Sequence, residues 1–129
     1  MTDKNTQDIS AAIDARLEAA LDASNYRITL SNQRAAARLK LQQNLNYSIN
    51  GGIFCISTEL ISFVGTLISR GRQDAVLLDV NKNPIEIPDL EQFLTTIIDI
   101  YYESTNDFLV EFKSIARART TAALVGIAK

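Results

Sequence analysis

The sequence predicts a mainly α-helical fold, a helical bundle decorated by one or two short β-hairpins, with an α+β arrangement as the neighbouring class. Three observations carry this. Glycine and proline together occupy only seven of 129 positions, so long stretches lack a helix breaker. Apolar residues recur at three- and four-residue spacing over most of the chain. Where that spacing lapses, paired glycines or an Asn/Pro cluster stand between short β-prone runs.

From Thr6 to about Ala23 the apolar residues Ile9, Ile13, Leu17 and Leu21 fall every fourth position, which predicts an amphipathic helix with one narrow stripe. A short alternating piece (Tyr26, Ile28, Leu30) follows, and Ser31 is placed to cap a second helix reaching about Asn46. Tyr47–Ile49 and Ile53–Ile56 flank Asn50-Gly51-Gly52 as a first hairpin. Ser57 then caps a helix carrying Leu60, Ile61, Phe63, Val64, Leu67 and Ile68, stopped near Gly71 and expected to be the most buried of all. Ala75–Leu78 and Ile85–Ile87, joined through Asn81-Lys82-Asn83-Pro84, make a second hairpin. Pro88 is read as the first residue of the last helix, in which Leu90, Phe93, Leu94, Ile97, Tyr101, Phe108, Phe112 and Ile115 form one stripe. Ile98, Tyr102 and Leu109 form a second stripe beside it, and no further breaker appears until Gly126.

A chain of this length is expected to build a single domain, residues 1–129, from which the first helix, about 1–24, protrudes. Met1–Thr6 shows no basic leader ahead of an apolar run, and no apolar run approaches the ~18 residues of a membrane span, so neither export nor membrane insertion is expected. Cys55 is the only cysteine, which excludes an intramolecular disulfide; flanked by Phe54 and Ile56, it is expected to be buried.

The net charge of -2 conceals a sorted distribution. Between Asp22 and Glu59 there is no acid, only Arg27, Arg34, Arg38 and Lys40, whereas Asp74–Glu111 carries nine acids against Lys82. The tail turns basic again at Lys113, Arg117, Arg119 and Lys129. Such blocks fit segments that meet within the fold or across a symmetric interface, and the basic helix is the residue set a nucleic-acid-binding regulator would use. A pI of about 5.1 and the lack of a reading motif weigh against nucleic acid.

Catalytic apparatus is not visible. With no histidine and one cysteine, Cys–His and Ser–His nucleophiles and zinc clusters are excluded, and no cofactor is expected. Asp79-Val80-Asn81-Lys82-Asn83 begins like a calcium loop, but Pro84 stands where glycine belongs and Leu90 where the bidentate glutamate belongs, so a polar turn is the better reading. Asp99, Glu103 and Asp107 share a helix face that reads as solvated.

Several strings have a familiar look. Asn50-Gly51-Gly52-Ile53-Phe54, Glu59-Leu60-Ile61-Ser62-Phe63-Val64, Ala75–Asp79, Asn83–Ile87 and Tyr101-Tyr102-Glu103-Ser104-Thr105-Asn106 resemble small proteins of uncharacterised role from marine contractile-tailed phages of cyanobacteria, over about Tyr26–Val125. The resemblance implies a viral origin, with the cytoplasm of the infected host or the virion as its setting, and supplies no catalytic residue. Together these readings give the expected function: a non-enzymatic phage protein acting by oligomerisation or protein–protein association, in virion or prohead assembly or as an accessory factor. Its partner would be a second copy, a phage structural protein or a host protein. Ile9, Ile13, Leu17 and Leu21, then Tyr102 and Leu109, are the expected interface.

Overall fold

The computed structural model describes the backbone of residues 2–127 and the side chains of residues 5–127; Lys129 of the basic tail lies outside them. The order is α1 (Thr2–Asn44), β1 (Asn46–Ile49), β2 (Gly52–Cys55), α2 (Thr58–Ser69), β3 (Ala75–Leu78), β4 (Pro84–Ile87), α3 (Leu90–Arg117) and α4 (Thr121–Ile127). The fold is thus mainly α with two antiparallel two-stranded hairpins, β1–β2 and β3–β4. Two compact units are distinguished, one from Met1–Ala36 with Glu111–Lys129, the other from Ala37–Val110.

In the second unit, local turn chemistry sets both hairpins. Ile49 pairs with Gly52, leaving Asn50 and Gly51 as a two-residue loop with φ of 51° and 81°. Two successive positive φ values are the requirement of the tight turn whose twist matches that of the strands. The β3–β4 loop runs from Asp79 to Asn83, between the paired Leu78 and Pro84, with Lys82 at φ 64°. Alternation then decides burial: Phe54 and Ile56 turn inward on one hairpin, Leu77, Ile85 and Ile87 on the other. They form one core with Val64 of α2 and Leu90, Phe93 and Ile97 of α3. Phe93 meets Phe54 and Tyr47 edge to face, at ring-centroid distances of 5.5 and 6.1 Å.

Gly52 has a packing reason to be glycine. A Cβ built there would lie 2.5 Å from Cγ1 and 2.7 Å from Cδ1 of Ile85, so the two hairpins approach each other through the space a side chain would take.

The helix ends follow from their cap residues. Ser57 Oγ accepts the Leu60 N–H at 3.1 Å at the start of α2. At its end Gly71 (φ 82°) donates to Ile68 O, and Arg72 to Leu67 O, the paired bonds of a Schellman stop. In α3 Leu90, rather than Pro88, is the first residue, and Asp89 is the cap, its Oδ1 accepting the Gln92 N–H at 3.0 Å. Pro88 therefore stands before the cap and outside the helix, a correction to the sequence reading.

Four further expectations are corrected. The alternating Tyr26–Leu30 piece and the Ser31 cap do not exist; α1 is one helix of 43 residues, because nothing from Thr2 to Asn44 is a glycine or proline and five residues of alternation are too few to override that. The last helix does not run on to Gly126: it stops at Arg117, and Thr120 caps α4 by accepting the Ala123 N–H on Oγ1 at 3.2 Å. Helix α2 is not the most buried, since Val64 alone among its residues is fully buried and Phe63 is 53% exposed. Cys55 is exposed, because it alternates with Phe54 and Ile56, which face the core.

In the first unit Ile115, Ala118 and Leu124 are buried. The end of α3 frees the Ala118 carbonyl, and the Tyr26 hydroxyl donates to it at 2.8 Å, tying α1 to the turn before α4.

Candidate association surface

The interface residues read from the sequence are all exposed. Every residue from Asn5 to Ala23 of α1 is exposed. Ile9, Ile13, Leu17 and Leu21 are 61%, 58%, 58% and 55% exposed, and Ile28, further along the same helix, is 57% exposed. At about 100° per residue, Leu17, Leu21 and Ile28 fall within an arc of roughly 40°. Tyr26 and Leu30, two of the partly buried residues of α1, lie about 160° away on the same helical wheel, whereas the half-buried Ser24 lies within about 60° of all three. Leu17, Leu21 and Ile28 thus face away from the packing that Tyr26 anchors, whereas Ile9 lies about 100° from Tyr26. Leaving large aliphatic side chains in water forgoes about 1.5–3 kcal/mol for each that full burial would recover. A row of them on one helix face is the kind of patch that marks a contact surface.

Tyr102 and Leu109, also exposed, lie on α3 in the second unit, so the structure does not gather all six residues into one surface within a unit. The basic residues are all exposed: Arg27, Arg34 and Arg38 fall within about 40° of one another along one edge of the stripe, whereas Lys40 lies roughly 140° round the helix from Arg27. The fourfold set therefore reduces to three arginines. Asp99, Glu103 and Asp107 are exposed on α3.

Asp79, the first residue of the calcium-like string, spends its carboxylate on the backbone. Oδ1 accepts the N–H groups of Asn81 and Asn83 at 2.9 Å each, and Oδ2 accepts that of Ile53 at 3.2 Å. The Asn83 N–H, with those of Ile53 and Asn81, holds its pKa below the ordinary carboxylate value against the opposing effect of burial. With Val80 N–H donating to Ile53 O at 2.9 Å, this loop is a clasp between the hairpins. Among the described residues no cluster of three or more His, Cys, Asp or Glu is arranged to hold a metal ion.

Among the open depressions, two lie beside these features. One of about 730 Å³ lies over β3–β4, lined by Asn50, Asp74, Val76, Pro84 and Glu86 among others. The other, about 480 Å³, lies in the first unit between Asp22, Ala23 and Tyr26 and the Arg119–Thr121 turn. Among the described residues no helix is long and apolar enough to cross a membrane. Compared with protein-family models, curated proteins and solved structures, the chain gives no significant match to any of them.

Proposed function

We propose that this is a non-enzymatic phage protein that works by association, in virion or prohead assembly or as an accessory factor in the infected cell, and that the first association is with a second copy of itself through α1. The observation that carries the reading is the row Ile9, Ile13, Leu17, Leu21 and Ile28, all exposed on α1, of which Leu17, Leu21 and Ile28 lie on the face opposite Tyr26. The viral setting rests on the resemblance of the Asn50–Phe54, Glu59–Val64 and Tyr101–Asn106 strings to small phage proteins. Charge sorting favours a second copy over an unrelated partner: the Asn5–Ala23 part of α1 carries Asp8, Asp14, Glu18 and Asp22 against Arg16, and the rest only Arg27, Arg34, Arg38 and Lys40. A helix acidic at one end and basic at the other is complementary to itself.

The test is mass in solution by light scattering after size exclusion, for the full chain and for Leu17→Glu with Leu21→Glu. Both positions are exposed, so the double variant keeps its fold, which circular dichroism checks. The expected result is a dimer for the full chain at micromolar concentration and a monomer for the variant; a wild-type monomer rejects the reading.

The alternative is nucleic-acid binding through Arg27, Arg34 and Arg38, favoured by their alignment on one exposed edge. It requires binding that weakens steeply with salt, because each neutralised phosphate releases counterions.

A further inference from the structure

Along α1 the residues Ile13, Leu17, Ala20, Ser24, Ile28, Ser31 and Ala35 follow one another at spacings of 4, 3, 4, 4, 3 and 4. This is an eleven-residue pattern, which keeps a seam on one side of a nearly straight helix. All seven belong to the first unit and all but the half-buried Ser24 are exposed. The pattern reads the same in both directions about Ser24. Its volumes do not: the positions before Ser24 hold Ile13, Leu17 and Ala20, those after it Ile28, Ser31 and Ala35.

From this we infer, building on the self-association proposed above, that two copies of α1 pair antiparallel about a two-fold axis at Ser24. Turning the second helix end for end sets Ile13 against Ala35, Leu17 against Ser31 and Ala20 against Ile28, with Ser24 meeting its own copy. Each layer off the axis then combines one large and one small side chain, the alternation that lets facing helices interdigitate without voids. A parallel pair in register instead stacks Ile13 on Ile13 and Leu17 on Leu17 at one end, and leaves Ser31 on Ser31 and Ala35 on Ala35 at the other. Ala–Ala and Ser–Ser layers there leave gaps that the large layers hold open.

The order of charges along α1 runs the same way. Antiparallel pairing lays the acidic Asp8–Asp22 stretch over the Arg27–Lys40 stretch of the second copy, twice by symmetry. Parallel pairing lays the four bases on four bases. On the helical wheel the acids lie about 80° or more from the seam, on the flank away from the three arginines, so this sorting acts along the length of the pair and the side-chain volumes decide the contact itself.

The orientation is read by disulfide trapping in a Cys55→Ser background, which removes the exposed native thiol. One chain carries Ile13→Cys, the other Ala35→Cys. Each is treated with a mild oxidant alone and after mixing in equal amounts, alongside light scattering of the untreated samples. A disulfide forms only where the two Cα atoms come within about 7 Å. The expected result is several-fold more covalent dimer in the mixture than in either variant alone, with dimeric mass throughout. Ile13→Cys cross-linking to itself while the chain remains dimeric overturns the antiparallel arrangement and leaves self-association standing. Dimeric mass with no cross-link in any sample also overturns it, placing the contact elsewhere on the chain. Monomeric mass in every sample removes both.

Discussion

The two hairpins approach each other at Gly52 through the space a side chain would take, and substituting it gives a direct energetic test of how the second unit is built. An alanine methyl at this position would sit 2.5 and 2.7 Å from Cγ1 and Cδ1 of Ile85, about 1 Å inside the ~3.5–4.0 Å optimum of carbon–carbon contact. Ile85 is 8% exposed and β-branched, so it has little freedom to swing aside. Gly52→Ala is therefore expected to destabilise by about 1–3 kcal/mol, the range for one methyl forced into a packed core. The backbone itself does not object, because Gly52 is not among the residues at positive φ. With room to spare, the same change would stabilise by about 0.4–1 kcal/mol by restricting the unfolded chain. Ile85→Ala makes that room by removing both clashing carbons, at its own cost of about 2–5 kcal/mol. Gly52→Ala should thus change sign, from destabilising in the wild type to neutral or stabilising beside Ile85→Ala, with a coupling of more than about 1 kcal/mol. Urea unfolding followed by far-UV circular dichroism on the four proteins measures the cycle. Penalties that add to within about 0.5 kcal/mol would refute the packing argument.

Two further outcomes follow from single side chains. Tyr26→Phe removes the donor to the Ala118 carbonyl and should cost about 0.5–1.5 kcal/mol. The loosened turn before α4 should be cut faster by trypsin at the exposed Arg119, and unchanged cleavage would speak against the anchor. Asp79 has a folded-state pKa held below 3.8, so its stabilising effect is complete above that value and fades as pH falls through the lower folded value. Asp79→Asn should be less stable at neutral pH, because an amide NH2 replaces an acceptor. Its unfolding should also depend less on pH than that of the wild type as pH falls below about 4, and equal slopes in urea titrations would contradict this.

What could be read from the chain beforehand was whatever a few adjacent residues decide. Asn50-Gly51, Ser57 and Gly71 announce a tight turn, a helix start and a helix stop, because each supplies a φ value or an acceptor that its own neighbours need. The Ile9–Leu21 stripe was legible for the same reason, being a matter of spacing on one helix. The errors arose where longer range decides. Tyr26-Ile28-Leu30 alternates like a strand, but no partner strand or breaker exists to exploit the alternation, and the helix runs through it. The stop at Arg117 has no glycine or proline to announce it; its signal was the Thr120 cap, which a reading centred on breakers passes over. That Leu17, Leu21 and Ile28 face away from the Tyr26 anchor could not be read in advance, because it depends on Tyr26 reaching Ala118, 92 residues further along.

The Asp79 clasp also bears on where this chain tolerates added sequence. A five-residue loop between two strands is usually the first place to try a peptide tag or a reporter. Here the Asp79–Asn83 loop is the wrong choice: lengthening it separates Asp79 from the Asn81 and Asn83 amides and shifts Val80 away from Ile53 O, so an insertion made at the tip of one hairpin would be felt in the other. The Arg70–Asp74 connection carries no such bond to β1–β2. It is exposed throughout, and its own bonds are the helix stop at Arg70–Arg72 and the Leu90 N–H to Gln73 O at 3.0 Å, so an insertion there is felt at the ends of α2 and α3 and not in the other hairpin.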